Sequence, residues 1–171
     1  MSAREARVAV LGLVAALALA TGCAGRRVEH GVFHSPKGYR AALPGDAWSV
    51  VNGSRADLEL RHASGRAGMT VNATCDPAVA RRPAAQLTRA LFAGLRDRSD
   101  VEHGDAVVGG RTAARTVVEG RAGMDGDRLR VEALTVVDGG CVYDLLYAAP
   151  TESFDAWHDD FMRFAASFAK E

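Results

Sequence analysis

The stretch ADLELRHASGRAGMTVNATC, residues 56–75, carries the clearest structural signal in the chain. In its first part, ADLELRH, apolar residues occupy every second position, so they share one face of an extended strand. The second part, GMTVNATC, alternates in the same way, and Ser64-Gly65 between the two parts predicts a hairpin turn. Strands with one apolar face and one polar face are typical of antiparallel sheets. We therefore expect an antiparallel hairpin here.

Further strands are expected on both sides of this hairpin, because short apolar runs rich in β-branched and aromatic residues are bounded by turn residues. Upstream, a Ser-Pro-Lys-Gly turn separates two short strands. Downstream, glycine pairs at 109–110 and 139–140 predict tight turns. The expected strands outside the hairpin are Val32–Phe33, Tyr39–Leu43, Val101–Val108, Arg111–Glu119, Leu129–Val137 and Cys141–Ala149.

Two helical regions interrupt these strands. Asp76-Pro77 is a good N-cap and first-turn pair, and a main helix is expected to restart at Pro83 and to run to about Arg98. A closing helix is expected after Pro150, with acidic residues in its first turn that suit the helix dipole. Its broad apolar stripe, at helical spacing, consists of Phe154, Trp157, His158, Phe161, Phe164, Ala165 and Phe168.

Runs of hairpins separated by helices predict an α+β domain. We expect one such domain over residues 32–171, with a mostly antiparallel sheet of about six or seven strands packed with two main helices as an α/β sandwich. A chain of this length can enclose a real core.

Two stretches carry a family resemblance, YRAALPGDAW (residues 39–48) and VVDGGCVYDLLYAAPTESFDAWHDDFMRFAASF (residues 136–168). The first is a strand with an aromatic start that leads through a proline turn to a tryptophan. The second joins a glycine turn, an aromatic strand and a proline-led helix. With the order of elements between them, they resemble the PsbP-like superfamily, which includes PsbP, the Mog-type proteins and DcrB-like bacterial lipoproteins. The resemblance covers residues 32–169 and implies a sheet covered by helices in a protein that binds macromolecular partners without catalysis.

The N-terminal residues 1–22 have the plan of a secretory signal, with a basic start followed by an apolar core. The core, Val8–Ala20, has 13 residues without a charge. As a helix it would reach about 20 Å, which is short of the roughly 30 Å of a hydrocarbon layer. We therefore interpret this segment as a signal peptide and not as a permanent span.

The five residues LATGC, 19–23, resemble a bacterial lipobox, although Ala20 stands where leucine is usual. The resemblance implies that Cys23 is the lipidated first residue of the mature chain and that residues 23–31 tether the domain to the membrane. Ala24, in place of aspartate, implies the periplasmic face of the outer membrane over the inner membrane. The alternative is an ordinary secretory signal that leaves a cysteine without a role.

The charge of the chain is balanced, with 21 basic and 21 acidic residues. Residues 1–22 hold two of the basic and one of the acidic side chains, so the remainder has a net charge of −1. Nucleic-acid binders usually show a basic stripe, and the sequence has none, so we do not expect a nucleic-acid partner.

Two cysteines remain when Cys23 is assigned to lipid, namely Cys75 and Cys141. A pair of cysteines in an exported protein is normally a disulfide. The alternative is two separate buried thiols. A metal site is disfavoured because neither cysteine lies in a CxxC or Cys-x-His spacing.

The sequence has no hydrolase, metalloprotease or nucleotide-binding motif. His30 and His34 have the spacing of a helical ligand pair, but the glycine and proline around them argue against a helix. The MDGD stretch, 124–127, has two carboxylates and reads as a turn, because a calcium loop needs more ligands. His158, beside two aspartates, is interpreted as a partly buried structural histidine. We expect no catalytic residue, cofactor or metal, and therefore no enzyme.

The leading hypothesis is a lipid-anchored extracytoplasmic module that binds or assembles with an unidentified protein of the bacterial cell envelope. The alternative is a carrier that holds a small ligand or lipid in a pocket between the sheet and the helices. An enzyme with an unfamiliar site is the third and least favoured possibility.

Overall fold

The computed structural model describes residues 27–122 and 126–171. The predicted signal peptide, Cys23 and part of the MDGD turn lie outside them. The strands are β1 (Arg27–Glu29), β2 (Val32–Ser35), β3 (Tyr39–Ala42), β4 (Trp48–Val50), β5 (Leu58–His62), β6 (Gly68–Thr74), β7 (Leu95–Val108), β8 (Arg111–Ala122), β9 (Arg128–Asp138), β10 (Cys141–Pro150) and β11 (Ala169–Lys170). The helices are α1 (Pro77–Ala80), α2 (Ala84–Ala90) and α3 (His158–Ala166), and a 3-10 segment spans Thr151–Ala156.

These strands form two antiparallel sheets. The large sheet has seven strands in the order β4-β5-β6-β10-β9-β8-β7, and the small sheet has four in the order β1-β2-β3-β11. The predicted α+β fold with a mostly antiparallel sheet is confirmed. A second, smaller sheet was not expected, and it contributes one wall of the candidate site described below.

The hairpin predicted at residues 56–75 is confirmed as β5 and β6. Leu60 lies opposite Met69, and Leu58 opposite Val71. All four of these side chains are at most 2% exposed, because alternation places them on the face of the sheet that is covered by other elements.

The large sheet has a core on each face. The larger core fills the space between this sheet, the small sheet and the C-terminal segment, and its biggest side chains include Phe33, Tyr39, Tyr143, Tyr147, Phe161, Phe164 and Phe168. The smaller core, on the opposite face, consists of Phe92, Val118, Val131 and Ala133 with partly buried neighbours. Because α2 contacts β8 and β9, the large sheet is the middle of three layers.

The main helix is shorter than predicted. It ends at Ala90, and the chain enters β7 at Leu95, so the expected extension to Arg98 is wrong. Only Leu87 and Thr88 of this helix are buried. The following sequence, RDRSDVEHGD, offers no apolar stripe to hold a helix on the sheet, and it pairs with β8 instead.

The predicted closing helix is also interrupted. The segment starts as a 3-10 turn, breaks at Trp157, continues as α3 and finishes as β11, which pairs with β3. The hydroxyl of Tyr147 donates a 2.7 Å hydrogen bond to the backbone oxygen of Phe154. This bond ties the 3-10 turn to β10. The α-helix begins after Trp157, whose backbone oxygen accepts from the N–H groups of Asp160 and Phe161 at 3.1 and 3.3 Å.

The predicted glycine turn at 109–110 is confirmed, and its tightness has a packing reason. Gly109 has a φ of +53°, and its N–H donates to the backbone oxygen of Ala165 at 3.2 Å. A Cβ at this position would lie 1.8 Å from the backbone oxygen of Phe168. The β7–β8 turn therefore fits beneath the end of α3 only with glycine.

The domain begins earlier than the sequence indicated. Arg27–Glu29, within the segment assigned to the tether, pair with β2 as an edge strand of the small sheet. In the described residues, no helix is long and apolar enough to cross a membrane.

Candidate functional site

A groove lies between the two sheets, where the small sheet meets the β4–β5 edge of the large sheet. It has a volume of about 410 Å³. We call it the inter-sheet groove. Its lining residues are Val28, Phe33, Val50, Val51, Asn52, Gly53, Asp57, Leu58 and Glu59.

The wall of the inter-sheet groove is largely apolar. Phe33 and Leu58 belong to the core and are 1% and 2% exposed. Val28 and Val50 are 42% and 37% exposed. They account for two of the four large hydrophobic side chains that are exposed in the described part of the chain. Such an exposed apolar concavity is a usual feature of binding sites.

An acidic residue at the edge of the groove is held by a network of hydrogen bonds. Asp57 accepts from Lys37 Nζ at 2.7 Å, from the hydroxyl of Tyr39 at 3.0 Å and from the backbone N–H of Ala73 at 2.8 Å. Its own N–H donates to the side-chain oxygen of Asn72 at 3.1 Å. Because its oxygens are satisfied, Asp57 fixes the wall and is a poor candidate for a reacting group.

The loop between β4 and β5, which closes the groove, is also held by hydrogen bonds. The hydroxyl of Ser54 donates to Glu59 at 2.6 Å and accepts from the N–H of Ala56 at 3.1 Å. The N–H of Val51 donates to the backbone oxygen of Glu59 at 2.9 Å. The groove is therefore preformed, which lowers the cost of ordering it when a ligand binds.

A second feature is a charged cluster under the start of α3, which we call the Glu132 cluster. Glu132 of β9 is 0% exposed. Its carboxylate accepts from Arg115 Nε at 2.7 Å and from His158 Nε2 at 2.7 Å. Arg115 also contacts Glu102 at 2.6 Å. The hydrogen bond to Glu132 raises the pKa of Arg115, and the bond from Arg115 lowers the pKa of Glu102, so the charged forms of both are favoured.

The Glu132 cluster connects three strands of the large sheet to α3. Glu102, Arg115 and Glu132 come from three adjacent strands, and His158 opens α3. Both oxygens of the buried carboxylate are occupied, so it has no free position for a reacting atom. The part of the chain that the structure describes also has no group of three or more His, Cys, Asp or Glu residues that could hold a metal ion.

The sequence-predicted site residues are distributed over the domain. Cys75 and Cys141 are joined as a disulfide, with an S–S distance of 2.09 Å, at the end of the β6–β10 ladder. His30 and His34 do not form a ligand pair: His30 lies in the β1–β2 turn with a φ of +49°, and His34 contacts Glu171 at 2.8 Å. His158 is partly buried, as expected.

Sequence reasoning missed both the groove and Glu132. The groove combines residues from positions 28 to 59, and only the register of the small sheet brings them together. A signal for Glu132 did exist, since it shares a strand face with the core residues Leu134 and Val136. A single acidic residue at a core-facing position of an apolar strand indicates a buried ion pair.

Asp144 is a partly buried carboxyl on the face of the large sheet that carries the smaller core. It accepts from the hydroxyl of Thr135 at 2.7 Å, and burial raises the pKa of its carboxyl above the ordinary 3.8. A raised pKa means that the folded state binds this proton more tightly, so the free energy of unfolding falls as the pH rises from the ordinary pKa through the raised one. Asp144→Asn is therefore expected to gain stability relative to the parent as the pH rises through that window, as measured by urea unfolding.

Asp138→Asn is the matched control for this prediction. Hydrogen bonds from Arg111 and then Lys170 lower the pKa of Asp138. Its contribution is present above the ordinary carboxyl pKa and is lost as the pH falls through the lowered one. Asp138→Asn should therefore lose stability relative to the parent near neutral pH, the opposite sign. If the stability of the two variants relative to the parent changed with pH in the same way, the raised pKa of Asp144 and the lowered pKa of Asp138 would both be in doubt.

Comparison with solved structures identifies the fold. A protein from Bacteroides thetaiotaomicron has a TM-score of 0.60 at 9% identity, and the match covers 86% of this chain and 49% of that one. This chain thus spans about half the length of the Bacteroides protein. No protein-family model matches the sequence, and no curated protein is similar enough to count as a relative.

Two smaller proteins match over most of their own length. Cyanobacterial PsbP (CyanoP) from Synechocystis has a TM-score of 0.52 at 15% identity, over 90% of this chain and 97% of CyanoP. LpqN of Mycobacterium tuberculosis, which is involved in cell envelope biogenesis, has a TM-score of 0.56 at 17% identity, over 83% of this chain and 87% of LpqN. The chain therefore has a PsbP-like fold, as the sequence resemblance predicted. At these identities the likeness defines the fold alone.

Proposed function

We propose that this protein is a lipid-anchored, extracytoplasmic binding module of the bacterial cell envelope, and that the inter-sheet groove is its binding surface. The observation that carries the proposal is the position of the groove. Val28, which lines it, is five residues after Cys23. Five extended residues span about 17 Å, so an anchor at Cys23 would hold the groove close to the membrane surface.

The proposed compartment has two supports. The Cys75–Cys141 disulfide suits an oxidising environment outside the cytoplasm. LpqN, which has a similar fold, is involved in cell envelope biogenesis. Attachment to the periplasmic face of the outer membrane remains our proposal, based on Ala24 after the lipobox cysteine.

The groove suits an apolar segment of a partner. Its exposed valines provide contact area, its walls are fixed by hydrogen bonds, and its carboxylates are already paired with groups of the same chain. A partner protein that inserts an apolar side chain would bury this surface without leaving a charge unpaired. We propose no catalysis, because the hydroxyl of Ser54 and the carboxylate of Glu59, which meet at the groove, are engaged in bracing its loop.

A carrier of a small ligand or lipid is the second candidate. The volume of about 410 Å³ lies within the usual range of ligand pockets, roughly 300–1,000 Å³. The pocket differs in position from the one we expected, since it lies between two sheets and not between a sheet and the helices.

Site-specific photocrosslinking in intact cells separates these functions. A photoreactive amino acid at Val50, in the groove, is expected to give a specific adduct on irradiation. The matched control is Gln86, which is exposed on α2 across the large sheet. A protein-sized adduct from Val50 alone supports the binding module, and a lipid-sized adduct detected by mass spectrometry supports the carrier. The same adduct pattern from Val50 and Gln86, or none from either, would contradict the groove as a binding site.

A further inference from the structure

The free edge of the large sheet is the long strand β7. It pairs with β8 on one side and is the last strand in the sheet order. Every residue from 96 to 105 is exposed. The two most exposed large hydrophobic side chains of the described residues, Val107 at 64% and Val101 at 48%, both lie on this strand. A long edge that exposes apolar side chains is a template for pairing with another strand.

Two irregularities leave only one part of this edge straight. The register with β8 shifts between Arg96 and Ser99 and again between Asp100 and Glu102. From Glu102 to Val108 the pairing is continuous. Bulges disfavour pairing, so an added strand is restricted to the straight part and its immediate surroundings.

The sequence of the straight part is self-complementary. In EHGDA, residues 102–106, Gly104 is the centre. When two copies pair antiparallel about Gly104, His103 of each copy lies opposite Asp105 of the other. In the same register, Glu102 of each copy lies opposite Ala106 of the other. Side chains that hydrogen-bond directly across two strands stabilise a sheet.

We propose that two copies of this protein associate through their β7 edges, with a two-fold axis at Gly104, so that the large sheets continue into one another. A symmetric contact of this kind is closed, and it leaves no new edge to recruit a third copy. Asp105 has no side-chain partner within the described ranges, whereas His103 lies 3.3 Å from Asp100 of its own chain. The other ring nitrogen of His103 lies 3.3 Å from the hydroxyl of Thr116. In the dimer Asp105 of the other copy would replace one of these two contacts of the imidazole.

The interface is small, so the dimer is a transient one. Cysteine crosslinking in intact cells therefore tests it better than a size measurement in dilute solution. Gly104→Cys places the thiol at the proposed two-fold axis, and a Cβ at this position meets no atom within 4 Å. Gly94→Cys is the matched control, because Gly94 is exposed and its Cβ position is equally open.

The expected result is a crosslinked dimer on a non-reducing gel for Gly104→Cys, after treatment with copper phenanthroline or a short bismaleimide, and none for Gly94→Cys or the parent. Adding His103→Asp to Gly104→Cys opposes two carboxylates in each half of the interface. The dimer yield is expected to fall roughly three- to tenfold, because two symmetric pairs are affected. Adding Asp105→His as well restores both pairs and should restore the yield.

Equal thermal stability of the single and double charge variants shows that the fold is not the cause of the change. A dimer yield for Gly104→Cys no higher than for Gly94→Cys would overturn the proposal. A yield that the double exchange fails to restore would also overturn it, because the register predicts that exchange to be neutral.

Discussion

Replacing Cys75 and Cys141 together with serine is expected to lower the free energy of unfolding by about 2–5 kcal/mol. The bond joins residues that are 66 positions apart. In the chain-entropy model a loop of this length contributes about 4 kcal/mol by restricting the unfolded chain. The linked strands β6 and β10 also form the middle of the large sheet, so every strand beyond them depends on this pairing.

Urea unfolding of the exported protein measures this effect, with the free energy extrapolated to water. The control is the parent protein in the presence of a reductant, which should approach the stability of the double variant. Mass spectrometry without reduction should find no free thiol at either position. Free thiols in the exported protein, or an unchanged unfolding midpoint in the variant, would contradict the role of the disulfide.

Removing the central carboxylate of the Glu132 cluster is expected to be comparably severe. Glu132→Ala should cost about 3–5 kcal/mol, because it leaves Arg115 partly buried and without its main partner. It also removes the bond that joins β9 to His158 at the start of α3. Thermal and urea unfolding measure the loss.

Two variants isolate the cause of that loss. Glu132→Gln keeps the volume and an accepting oxygen, so it should cost less than Glu132→Ala. Glu152→Ala removes a carboxylate that is 67% exposed and contacts Arg66. Exposed ion pairs contribute about 0–1 kcal/mol, so this control should be nearly neutral. Equal effects of Glu132→Ala and Glu152→Ala would show that the Glu132 cluster does not support the fold.

The strands of the large sheet could be predicted because their signal is local. Alternation in ADLELRH and GMTVNATC fixes both the strand and its buried face. The glycine pairs before Arg111 and Cys141 mark the turns that connect neighbouring strands. These features require no knowledge of distant residues, and β5, β6, β8, β9 and β10 were located to within a few positions.

The failures arose where a distant contact overrides a local pattern. Leu91, Phe92 and Leu95 have helical spacing, yet they follow the helix and pack beside Val118 and Val131. A periodic pattern shows that these residues face a core and does not show which backbone conformation brings them there. The short strands β1 and β11 were missed because two or three residues give no periodic signal.

The candidate site was harder to predict for the same reason. The inter-sheet groove depends on Arg27–Glu29 pairing with β2, and the sequence indicated a tether there. In the sequence, the alternation in ADLELRH indicates only that Asp57 and Glu59 belong to the polar face of a strand. Only the structure shows that Lys37 and Tyr39 donate hydrogen bonds to the carboxylate of Asp57.

Mass spectrometry of the N-terminal peptide of the protein, purified from bacterial membranes, tests the proposed anchor. We expect the mature chain to begin at Cys23 and this residue to carry the mass of a diacylglyceryl thioether with or without an amide-linked acyl chain. We also expect Cys23→Ala to abolish the modification and to release the domain from the membrane fraction. A mature chain that begins at another residue, or an unmodified Cys23 in a protein that still fractionates with the membrane, would contradict the proposed anchor.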